Sequence, residues 1–108
     1  MVKEFNEQLE DRINDFESAL NGRDPETWEK VNNFLDWLND YVLTYEDDPY
    51  YRAKRLVLSW GGPGADRFLF FKDGTIEYHC LCLDKYVTSV LGGHNLEIME
   101  QVRDYFME

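Results

Sequence analysis

The chain has 108 residues, 44% of them hydrophobic and 16% aromatic, with 22 acidic against 11 basic side chains and a net charge of −11. That length and composition point to one folded domain with its own core and exclude a disordered chain. No apolar run approaches the roughly 20 residues of a membrane span, and so negative a chain repels nucleic acid and anionic membrane while attracting basic surfaces.

Residues 2–20 read as an amphipathic helix. Val2, Phe5, Leu9, Ile13, Phe16 and Leu20 recur at steps of three or four, and Asn21-Gly22 ends the stripe. Asp24-Pro25-Glu26 has the form of a helix start, with an N-cap acid and proline at the first helical position. Trp28, Val31, Leu35, Leu38 and Val42 form the stripe of that second helix, so residues 1–45 are expected to be an acidic helical hairpin. Glu46-Asp47-Asp48-Pro49 breaks the pattern and reads as a loop.

The period then changes to two. Strands are expected over Arg55–Trp60, Arg67–Lys72 and Thr75–Leu83, with Asp73-Gly74 as a hairpin turn. Tyr86–Leu91 reads as a fourth strand or a bent continuation of the third. Asn95 is placed to cap a last helix that buries Leu96, Met99, Val102 and Phe106. The expected fold is α+β, ordered ααβββ(β)α, as a single domain over 1–108. It comprises the hairpin, an antiparallel sheet of three to four strands within 53–91, and a helix over 95–108.

The glycine-rich stretch Ser59-Trp60-Gly61-Gly62-Pro63-Gly64 lacks the Gly-Lys-Ser/Thr ending of a phosphate loop, and its proline removes an N–H donor. It reads as a turn between antiparallel strands. Leu58 to Pro63, then Arg67-Phe68-Leu69-Phe70, then Asp73-Gly74-Thr75-Ile76-Glu77-Tyr78, resembles a pattern in small acidic proteins of phages and mobile elements. The resemblance covers about residues 56–106 and leaves the helical hairpin outside. Members of that group tend to carry Asp-Trp-Phe after the third strand, where this chain has Asp84-Lys85-Tyr86. It implies a setting like that of host-defence inhibitors, including anti-CRISPR and anti-restriction proteins, many of them non-enzymatic. It assigns no site residue.

The residues themselves offer little for catalysis. Cys80, Cys82, His79 and His94 are the only cysteine and histidine side chains, and in a strand His79 points away from the two cysteines. The cysteines read as small apolar residues filling a sheet face. No metal site, cofactor or catalytic residue is expected, and no nucleophile-elbow sequence occurs. Two cysteines in Cys-x-Cys spacing and no apolar leader suggest a reducing, cytoplasmic compartment, which the resemblance to phage and mobile-element proteins implies is that of a host cell.

The acids carry the pattern. Residues 1–50 hold 14 acidic and 4 basic side chains, whereas residues 51–108 hold 8 and 7. Glu4, Glu7, Asp11 and Asp15 run down the first helix with neighbours roughly 5–6 Å apart, the scale of phosphates along a nucleic-acid strand. Asp36 and Asp40 repeat the step, and Glu46, Asp47 and Asp48 extend it, with Tyr50 and Tyr51 alongside. One reading is a solvated surface that serves solubility. The other is a DNA-like surface for a basic nucleic-acid-binding host protein, such as a CRISPR effector or restriction component, without direct binding of nucleic acid or membrane. The alternative function is an adaptor or immunity-type module that binds protein through its sheet or hairpin.

Overall fold

A computed structural model of the chain describes residues 4–60, 65–82 and 85–106. The first helix, α1, spans Phe5–Leu20 and buries Leu9, Ile13, Phe16 and Ala19; Val2, at the head of the expected stripe, lies outside the described residues. The predicted stop is present. Gly22 has φ +90°, its N–H bonds to the Ala19 carbonyl, and the Arg23 N–H bonds to the Ser18 carbonyl. This left-handed cap closes the last turn of the helix.

The second helix is much shorter than predicted. Asp24 does start a turn, its Oδ1 accepting from the N–H groups of Glu26 and Thr27 at 2.8 and 3.2 Å. The turn ends at Trp28, which takes φ +62° and is 71% exposed rather than part of a buried stripe. The chain then folds back on itself. The Asp24 N–H bonds to the Glu29 carbonyl, the Val31 N–H to the Gly22 carbonyl, and Arg23 bridges Lys30. Helix α2 begins only at Phe34 and runs to Tyr41, capped by Asn33, whose side chain accepts from the Asp36 N–H.

Five strands follow, not three or four: β1 (Thr44–Asp48), β2 (Ala53–Ser59), β3 (Asp66–Phe71), β4 (Ile76–Cys82) and β5 (Lys85–Val90). They form an antiparallel meander in sequence order. The acidic stretch expected to be a loop is the edge strand β1. Aspartate and glutamate are poor strand formers, but the pairing register sets Glu46 opposite Arg55 and Asp47 opposite Lys54, with ion pairs of 3.3 and 2.6 Å. Opposite charges across an antiparallel pair favour the strand over the loop. Residues 61–64 of the glycine stretch lie outside the described residues; the strands they join, β2 and β3, are antiparallel neighbours. The Asp73-Gly74 turn joins β3 to β4 as predicted, with Gly74 at φ +93°.

Helix α3 (Gly93–Phe106) packs beside α1, and all three helices contribute to a core on one face of the sheet. That face presents Leu56, Leu58, Phe68, Phe70, Ile76, Tyr78 and Cys80, all buried. Among the described residues no helix packs on the opposite face. Strand alternation places Arg55, Val57, Arg67, Leu69, Glu77 and His79 there. Among the described residues no helix is long and apolar enough to cross a membrane.

Candidate protein-binding surface

One buried carboxylate organises the acidic side of the molecule. Asp66 opens β3 on the helix-facing side of the sheet, where a register shift between Val57 and Ser59 brings the Ser59 hydroxyl to it. Nε and Nη2 of Arg12 donate to its two oxygens at 2.8 and 3.0 Å, a bidentate pair. The Ser59 and Tyr78 hydroxyls donate to the same carboxylate at 2.7 and 2.5 Å. Arg12 also donates to the Tyr41 hydroxyl at 2.9 Å, and that hydroxyl donates onward to Asp15 at 2.6 Å. The chain of bonds runs from sheet to surface through α1 and α2. Burial acts to lower the Arg12 pKa, but the bonds and charge of Asp66 outweigh it and hold the guanidinium charged. Burial pushes the Tyr41 and Tyr78 hydroxyls above their ordinary value, so both remain protonated donors.

Around this core, acids from separate segments converge. Asp11 and Asp15 of α1 line a hollow with Glu26, and an adjoining hollow is lined by Asp24, Glu26 and Asp40. Arg12 is the only cation among the residues lining both, and its charge is met from inside by Asp66. Five carboxylates and one cation line the two hollows. Glu4, Glu7, Asp36 and Asp40 are exposed, and Asp11 and Asp15 are half-buried. Asp24 and Glu26 read in the sequence only as helix-start acids; the fold-back at Trp28 brings them into the group.

The remaining sequence candidates lie elsewhere. Glu46 and Asp47 pair with Arg55 and Lys54 on β1. Asp48 is buried, accepts from the N–H groups of Tyr50 and Tyr51, and lies 3.5 Å from Arg55 and 4.0 Å from Arg67. It is a turn-building residue rather than an outward-facing acid. Tyr50 is 84% exposed, whereas Tyr51 packs edge-on against His79 at 5.1 Å. The eleven candidates therefore do not form one patch.

The helix-free face holds a second polar cluster that the sequence did not suggest. His79 is buried there. Its Nε2 donates to Glu77 at 2.9 Å and its Nδ1 accepts from the Tyr86 hydroxyl, which in turn accepts from Arg67 at 2.8 Å. Burial is the largest influence on His79 and holds its pKa below 6.5 despite the pull of Glu77. The native state therefore takes up fewer protons than the unfolded chain once pH falls below 6.5, so the stability from neutral His79 is complete above that pH and lost as pH falls toward the folded pKa. Melting temperature is expected to fall between about pH 7.5 and 5, and His79→Gln to flatten that part of the profile. An unchanged slope in the variant would assign the effect to another group.

Cys80 and Cys82 project to the helix-facing side, away from His79, with sulfurs 3.1 Å apart. Burial pushes the Cys80 thiol up to about 12, far from a thiolate at neutral pH. No protein-family model, curated protein or solved structure matches the chain.

Proposed function

We propose that this chain is a non-enzymatic inhibitor of phage or mobile-element origin. Its acidic α1–α2 side meets a basic groove of a host nucleic-acid-handling defence protein, such as a CRISPR effector, and keeps nucleic acid out. The observation that carries the reading is the convergence of Asp11, Asp15, Asp24, Glu26 and Asp40 around an arginine whose charge Asp66 already satisfies. Arg12 thus fixes the geometry of the group without cancelling its field. Such a field steers encounter with a Lys/Arg-lined groove and places carboxylates where phosphates would bind. Relative to the sequence expectation, the proposed surface loses Glu46, Asp47 and Asp48 and gains Asp24 and Glu26.

The test is charge reversal measured as competition. Glu26→Lys, Asp36→Lys and Asp40→Lys alter exposed side chains. The triple variant is expected to lose at least about a hundredfold in inhibition of target DNA binding by a susceptible effector. Glu97→Lys, an exposed change on α3, is the control. Association of the wild type is expected to slow about tenfold or more when salt rises from roughly 0.05 to 0.5 M. Full inhibition by a folded triple variant would end the proposal.

A second reading, an adaptor or immunity-type module, draws on the edge strand β5. Tyr86 and Val90 are 49% and 63% exposed there on the helix-free face. That reading predicts loss of partner binding on Val90→Glu and indifference to the charge reversals.

A further inference from the structure

The protein's basic side chains are few and unevenly placed. Four of the eleven, Arg52, Lys54, Lys72 and Arg103, line a single cavity of about 450 Å³. It lies at the corner where the ends of β1, β2 and β3 meet the last turn of α3. Its walls are apolar: Tyr45, Pro49, Ala53, Phe70 and Phe71. Tyr45 is held as a flat wall by stacking on Phe106, with centroids 4.2 Å apart and planes within 12°. The Lys54 ammonium sits 5.8 Å from the Tyr45 ring centroid.

Two carboxylates, Asp47 and Asp48, share the lining, so the cavity holds four cations against two anions. Lys54 is paired with Asp47 at 2.6 Å, and Asp48 is directed to Arg55 and Arg67. Among the described residues Arg103 has only the longer approaches of 3.8 Å to Glu100 and Asp104. Arg52 and Lys72 make no ion pair among the described residues, and both are exposed at the rim. Arg52 is held at φ +53° in the turn that follows Asp48, so the backbone fixes the point from which its side chain leaves. A small cavity with aromatic walls and a cationic mouth is the arrangement that takes a compact apolar body bearing a negative charge. Its volume suits a small molecule rather than a folded partner.

We propose that this corner is a binding site for a small amphipathic anion, an aromatic or otherwise flat apolar molecule carrying a carboxylate, sulfonate or phosphate. The apolar body lies against Tyr45, Phe70 and Phe71, and the anionic group faces Arg52, Lys72 and Arg103. The site is separate from the acidic α1–α2 side and does not depend on the inhibitor reading.

Titration of the full-length protein with 1-naphthoate, followed by two-dimensional amide NMR, tests it. 1-Naphthylmethanol serves as the neutral analogue and 1-naphthylmethylammonium as the cationic one. Naphthoate is expected to shift amides of residues 45–54, 70–72 and 103, and to bind about tenfold or more tightly than either analogue. Arg52→Glu with Lys72→Glu, both at exposed positions, is expected to remove that preference while leaving the melting temperature within a few degrees. Equal binding of the three probes, shifts centred elsewhere, an unaffected double variant or no binding at millimolar probe would each overturn the proposal.

Discussion

Asp66→Ala is expected to cost about 3–5 kcal/mol of folding stability, the largest effect of any single polar substitution among those argued here. The carboxylate is buried and satisfies four donors: two nitrogens of Arg12 and the hydroxyls of Ser59 and Tyr78. Its removal leaves a mostly buried guanidinium without a counter-charge and a buried phenol without an acceptor. Both losses are desolvation already incurred and no longer offset. Against a typical stability of about 5–15 kcal/mol, the variant would be partly unfolded at 37 °C or close to it. Asp66→Asn, which keeps the shape and loses the charge, is expected to cost less. Arg12→Met combined with Asp66→Leu is expected to cost far less than the sum of the single changes, because it removes charge and counter-charge together. Urea unfolding of the wild type, Asp66→Ala, Asp66→Asn, Arg12→Met, Asp66→Leu and the Arg12→Met/Asp66→Leu double variant checks this. A loss below about 1 kcal/mol for Asp66→Ala would mean that water replaces the bonds and that the network is not buried in solution.

Phe16→Ala is expected to cost about 3–5 kcal/mol and to separate the helices from the sheet. Phe16 is fully buried. Its ring makes edge contacts with Trp37 and Tyr41 of α2 at 5.9 and 5.3 Å and with Phe68 of β3 at 6.1 Å. One side chain of α1 therefore joins α2 to the sheet. The vacated space is bounded by rigid rings, so collapse around it is limited and the cavity cost adds to the lost transfer energy. Calorimetry gives the loss. Amide exchange is expected to rise first in α2, a helix of 8 residues that has little stability apart from these contacts. Protection lost evenly across the chain would instead mean that α2 does not open separately.

These two residues also separate what was legible from what was not. Phe16 belongs to an apolar repeat that local spacing reveals, and α1, α3 and the Asp73-Gly74 hairpin were readable for the same reason. Asp66 carries no local mark. Its role needs Arg12, 54 positions away, and no periodicity connects them. Residues 24–45 show the limit of local signals most clearly. A sound helix start at Asp24-Pro25 ran for one turn, and the pairing of residues 29–31 with 22–24 replaced the rest. The helix starts instead after Asn33, whose side chain caps it, as asparagine favours an N-cap over a helix interior. The placement of the candidate acids followed the same division. The row on α1 was legible from steps of four, whereas Asp24 and Glu26 joined it through a chain reversal, and Glu46, Asp47 and Asp48 left it through strand pairing.

What the sequence determined alone was the α+β class, the stripes of α1 and α3, the strands after residue 53 and the excess of acid in the first half, because these depend on neighbours within a turn or a strand. Tertiary structure decided that an acidic segment would be a strand, which carboxylates would stay outward, and where the scarce cations would gather. Each of those outcomes depends on the residue opposite, and a position along the chain does not record what stands opposite it in space.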